Sequence, residues 1–242
     1  MKYIKEYNEY VDPFNEEDWD EIEPDSTFLG WLKVNYPDES KWKDIKYINC
    51  GYQGLIDLVG IDKLINLREL YCPENQLTEL DVTKNIKLNV LYCYHNQLTE
   101  LDVTKNINLR RLCCYHNELT NLIGIDKLIN LEHLSCDNNQ LRELDVSENI
   151  NLKELCCEQN KLTELVSKSI NLEYLNCRYN QLRELDVTKN IKLEELYCNH
   201  NQLTKLDVTK NINLIKLLCY HNQLTEFVDV TKNTKLKHIE TN

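Results

Sequence analysis

The chain has 242 residues, 42% of them hydrophobic and 28% charged, with a single methionine and no alanine. That balance excludes wholesale disorder, and no apolar run approaches the ~18 residues of a membrane-spanning helix. The net charge of −12 argues against nucleic acid or an anionic membrane surface as the principal partner.

In chain order, residues 1–26 read as an acidic N-terminal arm. Ten carboxylates stand against Lys2 and Lys5 in residues 1–25, so that segment carries most of the net charge. The start lacks the apolar stretch of a secretory signal, which makes the cytoplasm the expected compartment. Residues 27–45 read as a helical cap. Ser26-Thr27 can N-cap a short helix carrying Phe28, Trp31 and Leu32 on one face and ending before Pro37. Asp38 or Ser40 can start a second turn bearing Trp42 and Ile45, with Trp31 and Trp42 expected to cover the first coil of a repeat array.

From residue 46 to 242 one unit recurs. Its first clear copy is Leu67-x-x-Leu70-x-Cys72-x-x-Asn75-x-Leu77-x-x-Leu80-Asp81-Val82, and its next is Leu88-x-x-Leu91-x-Cys93-x-x-Asn96. Nine cysteines, from Cys50 to Cys219, mark nine coils at spacings of 20 to 22 residues, and a half coil begins at Leu236. One cysteine per repeat is neither paired zinc spacing nor a disulfide framework, so these thiols are expected to be small, buried and reduced. In Leu-x-Cys the leucine and cysteine point inward from a short strand while their neighbours point out. Coils stacked at ~4.8 Å should pair those strands into a parallel sheet. Each asparagine three residues after the cysteine is expected to be a buried bracket for turn peptides. The second half of the coil repeats the spacing of the first, so the outer limb should be extended or turn-like. Its Asp-Val-Thr-Lys-Asn segment suits a turn in which aspartate accepts a backbone N–H two residues on. In two coils Gly60 and Gly124 open a variant limb one residue longer. The last half coil leaves an open edge.

The unit LxxLxCxxNxLTxLDVTKNxxL resembles the nested 21-residue class of leucine-rich repeats called IRREKO, and the Gly-Ile-Asp-Lys-Leu coils are similar to the 22-residue repeats of internalins. The resemblance covers roughly Ile45 to Asn242. It implies an α/β solenoid: a right-handed leucine-rich-repeat stack with a concave parallel β-sheet, extended or turn-like convex limbs and a small helical N-terminal cap. It implies a binding scaffold of the kind found in bacteria and large DNA viruses, with no shared catalytic residue.

Function is therefore sought on the outward side of the strands. Those columns vary and are rich in tyrosine, a residue that supplies large contact area at low entropic cost. The expected partner-binding residues are Tyr71, Tyr92, Tyr94, Tyr115, His133, Arg178, Tyr197 and Tyr220, with Tyr197 and Tyr220 forming a second cluster. Cys113 and Cys156 fall in the same outward columns and are expected to be the accessible thiols. His95 with His116, and His200 with His221, should stack ~5 Å apart, but no third ligand accompanies them, so no metal is expected. No phosphate loop, nucleophile elbow or zinc-hydrolase motif is present, and no cofactor is implied. The expectation is a non-enzymatic module gripping a protein partner on its concave face, with a host-interaction role where the genome is that of a virus or intracellular bacterium. The alternative is a structural solenoid, monomeric or weakly paired end to end through its open C-terminal edge.

Overall fold

A computed structural model describes residues 27–241; the acidic arm lies outside the described residues. The main-sheet strands are three residues long: β1 (Tyr47–Asn49), β2 (Glu69–Tyr71), β3 (Val90–Tyr92), β5 (Arg111–Cys113), β7 (His133–Ser135), β9 (Glu154–Cys156), β11 (Tyr174–Asn176), β12 (Glu195–Tyr197), β13 (Lys216–Leu218) and β14 (His238–Glu240). They form one ten-stranded parallel sheet among the described residues, each strand paired with that of the next coil. The register is constant: Leu70, Leu91, Leu112, Leu134 and Leu155 pair in sequence, so one leucine column runs unbroken through the core.

The outer limb holds no long helix among the described residues. Two coils turn there through single 3-10 turns, Ile61–Lys63 and Ile125–Lys127. Four short strands also pair there, β4 (Glu100–Asp102) with β6 (Asn121–Ile123), which leads into the Ile125–Lys127 turn, and β8 (Glu143–Val146) with β10 (Glu164–Ser167). Elsewhere the Asp-Val-Thr turn forms as its chemistry requires. Asp81 Oδ1 accepts the Thr83 N–H at 2.9 Å and its hydroxyl at 2.6 Å, and Asp186, Asp207 and Asp229 do the same. Each of these carboxyls is held below its ordinary pKa, chiefly by the threonine hydroxyl.

Burial follows the repeat. Every inward leucine of the coils from Leu64 to Leu217 is at most 9% exposed, and the nine repeat cysteines are at most 1% exposed. At ~1.5–3 kcal/mol per fully buried leucine, the stacked core dominates the favourable side of folding. The cysteine side chain is short, which lets the chain turn immediately afterwards. That turn is closed by asparagine. Asn117 Nδ2 donates to the carbonyls of Cys93 at 3.0 Å, Cys114 at 3.1 Å and Tyr115 at 3.3 Å, and its Oδ1 accepts the Leu98 N–H at 3.0 Å. One side chain thus satisfies backbone groups of two coils, and Asn75, Asn96, Asn139, Asn160, Asn180, Asn201 and Asn222 repeat the pattern. A second ladder on the outer limb, absent from the expectations, is built from fully buried Asn85, Asn106, Asn149, Asn190 and Asn211. Asn106 Nδ2 donates to Val82 and Asn85 carbonyls at 3.0 Å each.

The N-terminal cap is α1 (Phe28–Asn35), with Thr27 accepting the Gly30 N–H, followed by a 3-10 helix over Glu39–Asp44 capped by Asp38. Phe28, Leu32 and Trp42 are buried on coil one. Trp31 departs from expectation. It is only partly buried, stacked on Phe28 with ring centroids 5.7 Å apart, and its indole N–H donates to Gln53 Oε1 at 3.2 Å. Phe28, one turn earlier, takes the deep position because an indole N–H needs a polar partner at the rim.

Candidate functional site

Because register is constant, the outward residues of the main sheet form straight columns. The third residue of each strand reads Tyr71, Tyr92, Cys113, Ser135, Cys156, Asn176, Tyr197 and Leu218 along the paired strands. Four short side chains lie between two tyrosines, so the face divides into three zones.

The first zone is aromatic. Tyr71 meets Tyr92 edge to face at 4.9 Å, Tyr92 lies 6.4 Å from Tyr94, and Tyr94 stacks on Tyr115 at 4.4 Å with only 6° between their planes. The four tyrosines singled out in the sequence are therefore brought together, and Tyr47 extends the row at 5.4 Å from Tyr71. Burial pushes the Tyr92 and Tyr94 phenols up to about 12, so both stay neutral.

The central zone is polar. His133 Nδ1 lies 3.0 Å from Glu154 Oε2, and Ser135 Oγ donates to Asp137 Oδ2 at 2.9 Å. Glu158 receives the Arg178 guanidinium and, at 2.7 Å, the Asn176 amide. Asp137 Oδ1 is buried and has no hydrogen-bond partner among the described residues. Burial, with Glu158 nearby, raises that carboxyl to about 7, against the opposing effect of the Ser135 hydroxyl. His133 and Arg178 thus sit in this zone, each already committed to a glutamate. Cys113 corrects the expectation of accessible thiols: it is 1% exposed. A thiol is short, and Tyr92 and Tyr115 overtop it on either side. Cys156 is partly exposed, but burial, then Asp137 and Glu154, raise its thiol well above the ordinary value. None of the eleven cysteines is in a disulfide.

The third zone is aromatic again, but Tyr197 and Tyr220 do not form the expected pair. Tyr197 is 5% exposed, packs 5.4 Å from Tyr174 and carries Lys216 Nζ at 4.8 Å over its ring. Tyr220 instead packs on His200 and His221 at 5.4 and 5.1 Å. In the first zone Tyr94 bridges Tyr92 and Tyr115, whereas the bridging positions between Tyr197 and Tyr220 hold Asn199 and Leu218, which explains the separation.

The histidines themselves occupy a backbone role. In each of the nine coils the residue two after the repeat cysteine is left-handed, from Tyr52 (φ 59°) through His95 and His116 to His221 (φ 53°). That conformation is uncommon outside glycine and tolerated best by histidine, asparagine and aspartate. The rings lie as close as expected, His95 and His116 stacked at 4.2 Å and His200 and His221 tilted by 48° at 4.5 Å. Burial, then His95, lowers the His116 pKa. No cluster of three potential metal ligands occurs among the described residues.

No protein-family model and no curated protein matches this sequence. Solved structures do. The functional domain of InlJ from Listeria monocytogenes, which includes a cysteine ladder, is 40% identical over 83% of this chain and 45% of its own length, with a TM-score of 0.80. YopM from Yersinia enterocolitica is 26% identical over 82% of this chain and 46% of its own, with a TM-score of 0.61. Internalin C2 from Listeria monocytogenes, 22% identical, shares the fold over 84% of each chain at a TM-score of 0.59. The chain spans less than half the length of the InlJ and YopM structures it resembles. Repeats of about 21 residues, stacked into one parallel sheet and superposing on these proteins, make the chain a member of the leucine-rich-repeat class.

Proposed function

We propose that the chain is a non-enzymatic interaction module that holds a protein partner against the outward face of its ten-stranded sheet. The observation that carries this is the stacked aromatic surface of Tyr92, Tyr94 and Tyr115, which is partly exposed and contributes nothing to the inward core. Rigid, neutral tyrosines beside a polar centre are the composition of an interface hot spot with a specificity-setting neighbour. The likeness to InlJ and YopM, both bacterial, supports the finer form of the proposal, in which the partner is a host protein. Nine core thiols without disulfides support a reducing compartment such as the cytoplasm.

The test is partner capture by the full chain, compared with Tyr92→Ala/Tyr94→Ala. Loss of two central aromatics at ~2 kcal/mol each weakens binding by about a thousandfold, while the melting temperature falls by only a few degrees because no inward cavity opens. Lys210→Ala, on the outer limb, leaves capture unchanged. Deleting residues 1–25 is the companion variant. Normal capture by the tyrosine variant, with capture lost on the deletion, would place the binding determinant in the arm and defeat the proposal.

A further inference from the structure

The core leaves one regular feature unexplained. Just before each coil re-enters the main sheet, an isoleucine points to solvent. From Ile65 to Ile212 there is one in each of eight successive coils, and every one is 49–56% exposed. An inward leucine follows two residues later, so these side chains have no place in the solenoid's own packing. They form a straight apolar ridge. Two residues before each stands a lysine, except in one coil, where Glu148 takes its place. On the other flank lies an open groove of about 550 Å³ lined by Asn108, Asn130 and Asn151 together with Arg110, Glu132 and Lys153.

The groove's chemistry is shown by its neighbours. Where the next coil supplies a lysine, the asparagine of this column accepts its ammonium group: Lys87 on Asn66 Oδ1 at 2.5 Å, Lys192 on Asn171 Oδ1 at 2.8 Å and Lys235 on Asn213 Oδ1 at 2.7 Å. At Asn108, Asn130 and Asn151 the amide nitrogens are used on the carbonyls of Ile86, Ile107 and Ile129. No donor among the described residues reaches their oxygens. Asn171, which closes the groove, is filled by Lys192, and the other three asparagines form a row of ammonium acceptors at coil pitch that the chain itself leaves unfilled.

We propose that a second copy of this chain fills it, two ridges packing side by side about a twofold axis parallel to the stack. The pitch matches by construction, because both ridges come from the same repeat. The axis direction follows from charge. A twofold along the ridge lays the lysine column of each copy over the groove of the other, whereas one across the ridge would set lysine against lysine. In the favoured alignment Lys127, Lys168 and Lys189 stand level with Glu132, Glu173 and Glu194. The lone acid of the lysine column, Glu148, stands level with Lys153, which with Arg68 and Arg110 makes up the basic residues of the opposing row over these coils. Like charges meet at Lys63 with Arg68, Lys84 with Lys87, Lys105 with Arg110 and Lys189 with Lys192. Three of these opposing cations are already held, Lys87 by Asn66, Arg110 by Glu132 and Lys192 by Asn171. The area suffices: eight half-exposed isoleucines present on the order of 750 Å² per copy, close to the ~800 Å² per partner of a standard interface. The ridge and the tyrosine face occupy different columns, so pairing leaves Tyr92, Tyr94 and Tyr115 uncovered.

Sedimentation velocity of the full chain from about 1 to 200 µM tests this, since that range brackets a micromolar Kd. The expected result is a monomer–dimer equilibrium. Ile107→Asp/Ile129→Asp/Ile150→Asp weakens it at least about a hundredfold with unchanged circular dichroism and melting temperature. Glu148→Lys weakens it, and adding Lys153→Glu restores it, a reversal that a folding defect does not produce. A monomer throughout the range overturns the proposal, as does a monomer that instead floats with phosphatidylserine vesicles. A dimer untouched by either set of variants also overturns it, and points to the β14 edge. Partner capture by the triple isoleucine variant stays normal, so this proposal and the tyrosine-face reading fail separately.

Discussion

Asparagine carries more of this architecture than its polarity suggests. Asn117 satisfies carbonyls of two coils and an N–H of one of them with a single amide. Asn117→Ala leaves those groups buried and unpaired and is expected to destabilise by about 1–3 kcal/mol. Glu118→Ala in the next, exposed position is nearly silent, and the two midpoints in a urea titration measure the contrast. The central zone supplies a second single-residue prediction. A carboxyl raised from 3.8 to about 7 contributes stability that is fully present below pH 4 and lost as pH rises through 7. Asp137→Asn, which keeps an acceptor for the Ser135 hydroxyl, is therefore expected to melt above the wild type at pH 8. At pH 4 to 5 the two should converge. Equal differences at both pH values would mean that Asp137 does not titrate in this range. The bracketing asparagines were legible in the sequence because they recur at a fixed offset from cysteine. The raised carboxyl was not, since it arises from burial among neighbouring coils, with Glu158 adding to it and Ser135 and Arg178 opposing it.

At the scale of the element, each coil is a strand, a left-handed corner and a limb, and the limb is where coils differ. Gly124 has φ 84°, and a Cβ built there would lie 2.6–2.7 Å from Thr104, backbone included. Gly124→Ala combines a strained conformation with a clash against main chain that cannot yield, so a loss of about 2 kcal/mol or more is expected. Gly54, also left-handed but with only open space and the far end of Gln76 near it, should tolerate alanine better. Thermal melts of the two variants rank them. Strand, asparagine bracket and aspartate turn could all be placed from spacing. The outer asparagine ladder was missed because residues 85, 106 and 149 look like ordinary turn residues until the limb is seen to fold inward. The Tyr197 and Tyr220 separation was missed for a related reason: proximity in sequence columns does not say which ring a neighbour's side chain will cover.

For the molecule as a whole, the constant register has a consequence for its history. The twelve residues Asn75–Ile86 are identical to Asn96–Ile107, and Leu70, Leu91 and Leu112 occupy equivalent places in one ladder. Recombination between such stretches removes or adds one coil's worth of codons and rejoins the chain in frame and in phase with the fold. Every backbone partner lost at the excised strand is replaced by the same atom of the next one. Excision from residue 76 to 96 would join Asn75 to Gln97 and bring Glu69, Leu70 and Tyr71 against Arg111, Leu112 and Cys113, the core unchanged and the aromatic row two tyrosines shorter. Removal of one residue fewer would leave an extra residue for the limb to absorb, as the Gly60 and Gly124 coils do. The scaffold thus lends itself to evolution by whole coils, and each step rewrites the face presented to a partner while leaving the interior as it was.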